Sequence, residues 1–159
     1  MILQLPGFPD GGNMPRKYSC QGDEVSPELI WMDLPEEIKS LVLFMYDVSI
    51  PADWLRLTTI DHWVVYNIPT NLRGLPENVP DEQRLENGAL QGKRLRNKTG
   101  YMGPCPLFGT HLYVFELYAL NKMLEMEPEN ATRTKLTHTM KTKIIDKTVY
   151  AGKYRKTNR

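Results

Sequence analysis

At 159 residues the chain has the length of one domain, 1–159, and two independent cores are not expected within it. Its 41% hydrophobic and 25% charged residues exclude a disordered chain. A net charge of +1 excludes a bulk field that would gather nucleic acid or an anionic membrane, so any phosphate recognition must be local.

Twelve prolines and eleven glycines are many for a helical bundle and suit short strands joined by shaped loops. No apolar run approaches the roughly 20 residues that cross a bilayer. The first ten residues lack the basic head and apolar stretch of a signal peptide, so a cytoplasmic protein with no transmembrane segment is expected. Cys20 and Cys105 do not make a disulfide framework, and no C-x-x-C pair argues for structural zinc. Their spacing leaves pairing open, and a cytoplasmic location predicts two reduced thiols.

Residues 1–22 are rich in Gly and Pro and read as an extended edge segment with turns. Residues 29–34 (LIWMDL) are a short strand candidate. Residues 40–48 (SLVLFMYDV) are almost continuously apolar and read as a buried central strand, which Pro51 ends. Residues 62–68 (HWVVYNI) predict a second buried strand, stopped by Pro69. Residues 71–100 hold turn signals and the basic cluster Lys93, Arg94, Arg96 and Lys98, and read as a long, partly mobile surface excursion. Residues 110–120 (THLYVFELYAL) predict a third strong strand. Across residues 131–145, Leu136, Met140 and Ile144 recur at four-residue steps on one helical face, and residues 145–153 return as a last strand. The whole predicts a mostly β, antiparallel two-sheet sandwich, Greek-key-like, with a C-terminal helix at its margin.

His62 and His111 open two of the predicted strands beside loop residues, and Asp47 closes the strongest one. Strand side chains alternate faces, so His111 and Tyr113 point the same way. Three polar groups at three strand ends can converge on one rim, where loops gather and sites are built. A lone strand histidine is more often a packed, hydrogen-bonded residue, and His138, between two threonines on the late helix, keeps that reading. Residues 100–109 (GYMGPCPLFG) hold three glycines and two prolines, which exclude a helix or regular strand and suit a rigid connector or a cavity border.

Asp-x-x-x-Pro at Asp47, His62-Trp63, and Gly-x-x-Gly-Pro-x-Pro leading to His111-x-Tyr113 occur in the order that resembles the phosphatidylethanolamine-binding family, also called the Raf kinase inhibitor family. Tyr18-Ser19-Cys20-x-Gly22, followed by Ser26-Pro27-x-Leu29-x-Trp31, is similar to its small prokaryotic branch. The resemblance spans residues 18–152 and implies a two-sheet sandwich with a small cavity for phosphate, phosphoryl-ethanolamine or similar anions. It assigns Asp47, His62, His111 and Tyr113 to that cavity, with Pro106 on its rim and loop amides near Gly103 as further donors. Two of the motifs depart from the family pattern, and the C-terminal segment that flanks the cavity in eukaryotic members is not evident in residues 150–159. The usual Asp-Pro-Asp reads Asp47-Val48-Ser49, and the common His-Arg-Tyr reads His111-Leu112-Tyr113.

The expected function is that of a binding protein, not an enzyme. Its ligand is a small anion, phosphate or a phospholipid headgroup, with no cofactor and no nucleic acid. The resemblance permits a kinase or protease partner, and exposed strand edges permit a homodimer. The alternative is a metal-dependent or Asp/His hydrolytic enzyme in the same pocket, since two histidines and a carboxylate also describe an iron-binding triad or an acid–base pair. Against it stand the missing close His-x-Asp pair and the missing G-x-S-x-G elbow.

Overall fold

The computed structural model describes residues 1–48 and 59–158. Ser49, Ile50 and Pro51 lie outside the described residues, and the predicted buried strand ends at Asp47. A small sheet has the order β1-β3-β6, from β1 (Ile2–Gln4), β3 (Leu29–Met32) and β6 (Gly74–Leu75). A larger sheet contains β2 (Gly12–Asn13), β4 (Ser40–Asp47), β5 (Ile60–Ile68), β7 (Leu90–Gln91), β8 (Thr110–Leu120) and β9 (Ile144–Arg155), in the order β2-β9-β8-β4-β5-β7. Among the described strands every pairing is antiparallel except that of β2 with β9. Strands β4, β5 and β7 follow one another across the sheet and β8 returns to the far side of β4, which is the Greek-key step.

The larger sheet is covered on both faces, and this explains the near-continuous apolar runs. Leu41, Leu43 and Met45 of β4 face the small sheet, in a core with Trp31, Trp63, Phe115 and Leu117. Val42 and Phe44 face the other way, against Tyr66, Leu124, Leu136 and Met140. A strand buried on both sides cannot alternate apolar with polar residues.

The predicted helix is shorter than its periodicity indicates. It runs over Arg133–Met140 (α1), with Thr132 accepting the Lys135 N–H at its start. Ile144 and Ile145 belong to β9 instead, where β-branched residues fit a pleated surface better. The polar stretch 71–100 is not a free excursion either. It supplies β6 and β7, and it buries Leu75, Val79, Leu85 and Ala89 in the core. Among the described residues, no helix is long and apolar enough to cross a membrane.

Candidate functional site

The inner face of the large sheet ends in polar groups. Asp47 pairs with Tyr113 across β4 and β8, and Asp47, His111 and Tyr113 are all buried. The His111 Nδ1–H donates to Asp47 Oδ2 at 2.6 Å, which fixes the tautomer and leaves Nε2 as the other ring nitrogen. The two rings of His111 and Tyr113 stack, with centroids 6.4 Å apart, as side chains two residues apart on one strand should.

His62 arrives there by a different route. Met45 pairs with Trp63 but Tyr46 pairs with Asp61, so one step along β4 spans two along β5 and His62 is the extra residue of a bulge. Trp63 and Val65 face the inner core while Val64 and Tyr66 face the outer one. Strict alternation would therefore send His62 outward, with Val64. The bulge turns it inward, where its ring meets Tyr113 edge-on at 5.1 Å and its Nδ1–H donates to the Met102 carbonyl at 2.7 Å. Burial lowers the His62 pKa first. The Met102 carbonyl and the Asp47 charge oppose that, and the Arg94 charge adds to it. The ring is therefore neutral at neutral pH, with Nε2 an acceptor. Burial, and then the charge and hydrogen bonding of Asp47, push the Tyr113 hydroxyl well above its ordinary value.

The loop over residues 100–109 forms the next wall, and it is clamped to the N-terminal turn. Tyr101 Oη donates to the Tyr18 carbonyl, the Cys20 N–H donates to the Pro104 carbonyl, and the Gly103 N–H donates to Glu24 Oε1. A Cβ at Gly103 would lie 2.6 Å from the Tyr18 carbonyl oxygen, so this approach needs glycine. The Gly103 amide, expected as a ligand donor, is thus engaged by Glu24.

The expectation of two reduced thiols is overturned. Cys20 and Cys105 form a disulfide with their Cα atoms 5.5 Å apart, well inside the span a bridge requires. The clamped loop and turn bring the two cysteines together over 85 residues of sequence, a proximity no local pattern encodes.

These walls enclose a cavity of about 620 Å³. All six expected residues, Asp47, His62, Gly103, Pro106, His111 and Tyr113, line it. So do Glu24, Arg94, Arg96 and Lys98, the three cations coming from a stretch whose polarity predicts a surface excursion. Arg94 is ordered by its Nε–H, which donates to the Gly100 carbonyl, and desolvation lowers its pKa against the pull of Asp81 and Glu24. Arg96 is held at φ 61, a backbone region that a long side chain rarely adopts. The signal was present in the sequence as a basic cluster directly before the glycine-rich loop. Among the described residues, no group of three His, Cys, Asp or Glu is arranged to hold a metal ion.

Comparison with known proteins agrees with this architecture. The family model described as phosphatidylethanolamine-binding protein matches residues 4–155. A UPF0098 protein of Methanothermobacter thermautotrophicus is 40% identical over 156 residues, covering 98% of this chain and 99% of that protein. A UPF0098 protein of Chlamydia pneumoniae is 37% identical over 156 residues, with the same coverage of 98% and 99%. The crystal structure of a phosphatidylethanolamine-binding protein homologue from Chlamydia trachomatis is 35% identical and superposes with a TM-score of 0.88, covering 98% of this chain and 97% of that one. An E. coli member of the mammalian family, 24% identical, has a TM-score of 0.85 with 98% of each chain covered, and is a likeness of fold alone.

Proposed function

The chain belongs to the phosphatidylethanolamine-binding protein family, and from that premise we propose that its cavity binds a small phosphate-bearing anion of the phosphoryl-ethanolamine type. One observation supports this reading above the others. His62 and His111 line one cavity, each with Nδ1 engaged by the protein and Nε2 remaining, together with Arg94, Arg96 and Lys98. Among the described residues, no buried side-chain nitrogen or oxygen lacks a partner, so both Nε2 atoms open onto the cavity.

The chemistry follows from the protonation states. A phosphate monoester that keeps its proton donates it to the neutral His62 Nε2, while a dianion draws a proton onto that nitrogen and accepts from it. Either complex holds one proton between ring and phosphate, so binding just above neutral pH takes up about one proton. The guanidinium groups supply planar donors suited to phosphate oxygens. Glu24, on the same lining, offers a negative group to an ethanolamine ammonium.

Calorimetry with phosphoryl-ethanolamine, phosphate and acetate tests the reading, in two buffers of different ionisation enthalpy to count the protons. His62→Ala and His111→Ala each remove a bond to a charged group and should weaken phosphoryl-ethanolamine binding by about 10- to 150-fold. If both variants keep their circular dichroism spectra and bind as tightly as the wild type, the site is misassigned.

The hydrolytic alternative draws on the Asp47–His111 pair, an orienter and base of the kind that activates water. Release of inorganic phosphate from phosphoryl-ethanolamine at a rate that His111→Ala abolishes would favour it.

A further inference from the structure

Two large apolar side chains stand out of the strand-end rim. Leu107 is 76% exposed and Phe108 75%, the most exposed large hydrophobic residues of the described structure. Pro106 precedes them, and Gly109 at φ +66 turns the chain back into β8, so the pair forms the tip of a short, stiff loop. Leu95, 40% exposed, lies on the same cavity mouth as Leu107.

Cations flank the tip on both sides. On one side Leu107 shares the cavity lining with Arg94, Arg96 and Lys98. On the other, Thr110 lines a separate groove of about 430 Å³ together with Arg16, Lys153 and Arg155, and no carboxylate is among the described residues lining it. The register of β8 with β9 fixes this second group: Arg155 pairs with Thr110 and Lys153 with Leu112. The Arg16 Nε–H donates to the Gln21 carbonyl, which anchors that guanidinium beside the groove. The two carboxylates of the cavity are drawn inward, Glu24 to the Gly103 amide and Asp47 to His111. A chain with a net charge of +1 therefore places six basic side chains around one apolar tip.

We propose that the Leu107–Phe108 loop is a membrane-docking element that seats on an anionic lipid bilayer. The two apolar side chains enter the boundary between headgroups and acyl chains, while the cations on both sides lie against lipid phosphates. A bilayer fits this surface better than a folded acidic partner. A stable protein interface needs a broad packed core, and here the apolar part is two exposed side chains flanked by cations. A bilayer offers a soft, continuous anionic sheet instead. The docking is independent of whether the cavity takes a phosphate.

Co-sedimentation of the purified protein with vesicles of phosphatidylcholine alone, and of phosphatidylcholine mixed with phosphatidylglycerol, tests this at low and high salt. The protein should bind the anionic vesicles, bind the neutral ones far less, and detach as salt rises. Phe108→Ser should lower the partition coefficient by roughly 10-fold or more, as expected for withholding one large apolar side chain from the boundary. Lys153→Glu with Arg155→Glu should lower it by roughly 30-fold or more, at about fivefold per charge near an anionic surface. Both variants lie off the cavity lining, so calorimetry with phosphoryl-ethanolamine should read the same as for the wild type and show that they are folded. Absence of binding to anionic vesicles at low salt would overturn the proposal, as would a Phe108→Ser variant that binds like the wild type. Capture of the loop by polyglutamate in place of vesicles would also overturn it, and would assign the surface to an acidic polypeptide.

Discussion

His62 sits at the cavity because β5 carries one residue more than β4 at that point, and its burial has a measurable consequence. Its pKa is lowered from the ordinary value of 6.5, chiefly by desolvation. Below 6.5 the unfolded chain takes up a proton that the folded ring resists, so the unfolded state binds more protons and stability falls with falling pH. The contribution is fully present above 6.5 and is lost progressively below it, by about 1.4 kcal/mol for each unit of difference between the two states. Replacing His62→Asn keeps a donor for the Met102 carbonyl and removes the titration. Urea midpoints measured from pH 7.5 to pH 5.5 (a window of about ±1 unit around the ordinary histidine value) should fall more steeply in the wild type than in the variant. Parallel curves would mean that His62 titrates normally in the fold. The residue type was legible in the sequence beside Trp63, but its direction was not, because alternation alone sends it to the wrong face.

At the scale of elements, the site is held by a clamp between the N-terminal turn and the loop before β8. Tyr101, Gly103 and the Cys20 amide each contribute a hydrogen bond to it, and the Cys20–Cys105 disulfide closes it covalently. Removing a cross-link over 85 residues frees the unfolded chain by an amount worth roughly 4.5 kcal/mol in the chain-entropy account. Cys20→Ser with Cys105→Ser should therefore lower the urea midpoint, and a thiol reductant should bring the wild type down to the same value. The three hydrogen bonds remain, so the reduced protein should keep its β-sheet circular dichroism. A wild-type midpoint indifferent to reductant would show that the thiols are not paired in solution. Neither cysteine announced this pairing, since each lies in an irregular segment whose position depends on the other.

Across the whole molecule, β4, β5 and β8 form the centre of a layer with an apolar core on each side; the small sheet covers one face, α1 packs on the other, and β9, β2 and β7 extend the layer at its edges. Amides in the middle of these strands open only when both cores open, so their exchange should report global unfolding. Hydrogen exchange should be slowest there and much faster at β2, whose described pairing is two residues of β9. Equal protection of β2 and β4 would contradict a single central layer. The charge distribution belongs to the same scale: near-neutrality of the chain coexists with a cationic, apolar-tipped rim, because opposite charges are sorted by fold and not by sequence neighbourhood.

The amino-acid sequence by itself determined what depends on neighbours along the chain. The apolar runs at residues 40–48, 62–68 and 110–120 specified buried strands, and two-residue alternation put His111 and Tyr113 on one face. The motifs around Asp47, His62 and His111 specified the family, and the three residues line one cavity. Tertiary structure alone decided what depends on pairing across distance. The bulge that turns His62 inward exists only against β4. The disulfide exists only once the loop docks on the turn. Arg94, Arg96 and Lys98 reach the cavity only because a polar stretch, which reads as solvent-exposed, is folded back against the residues at the ends of β4 and β8, and Glu24 only because the N-terminal turn docks on the loop before β8. Local periodicity encodes which face a side chain takes within one element, whereas meeting between elements is set by register and loop closure, and these are properties of the assembled sheets.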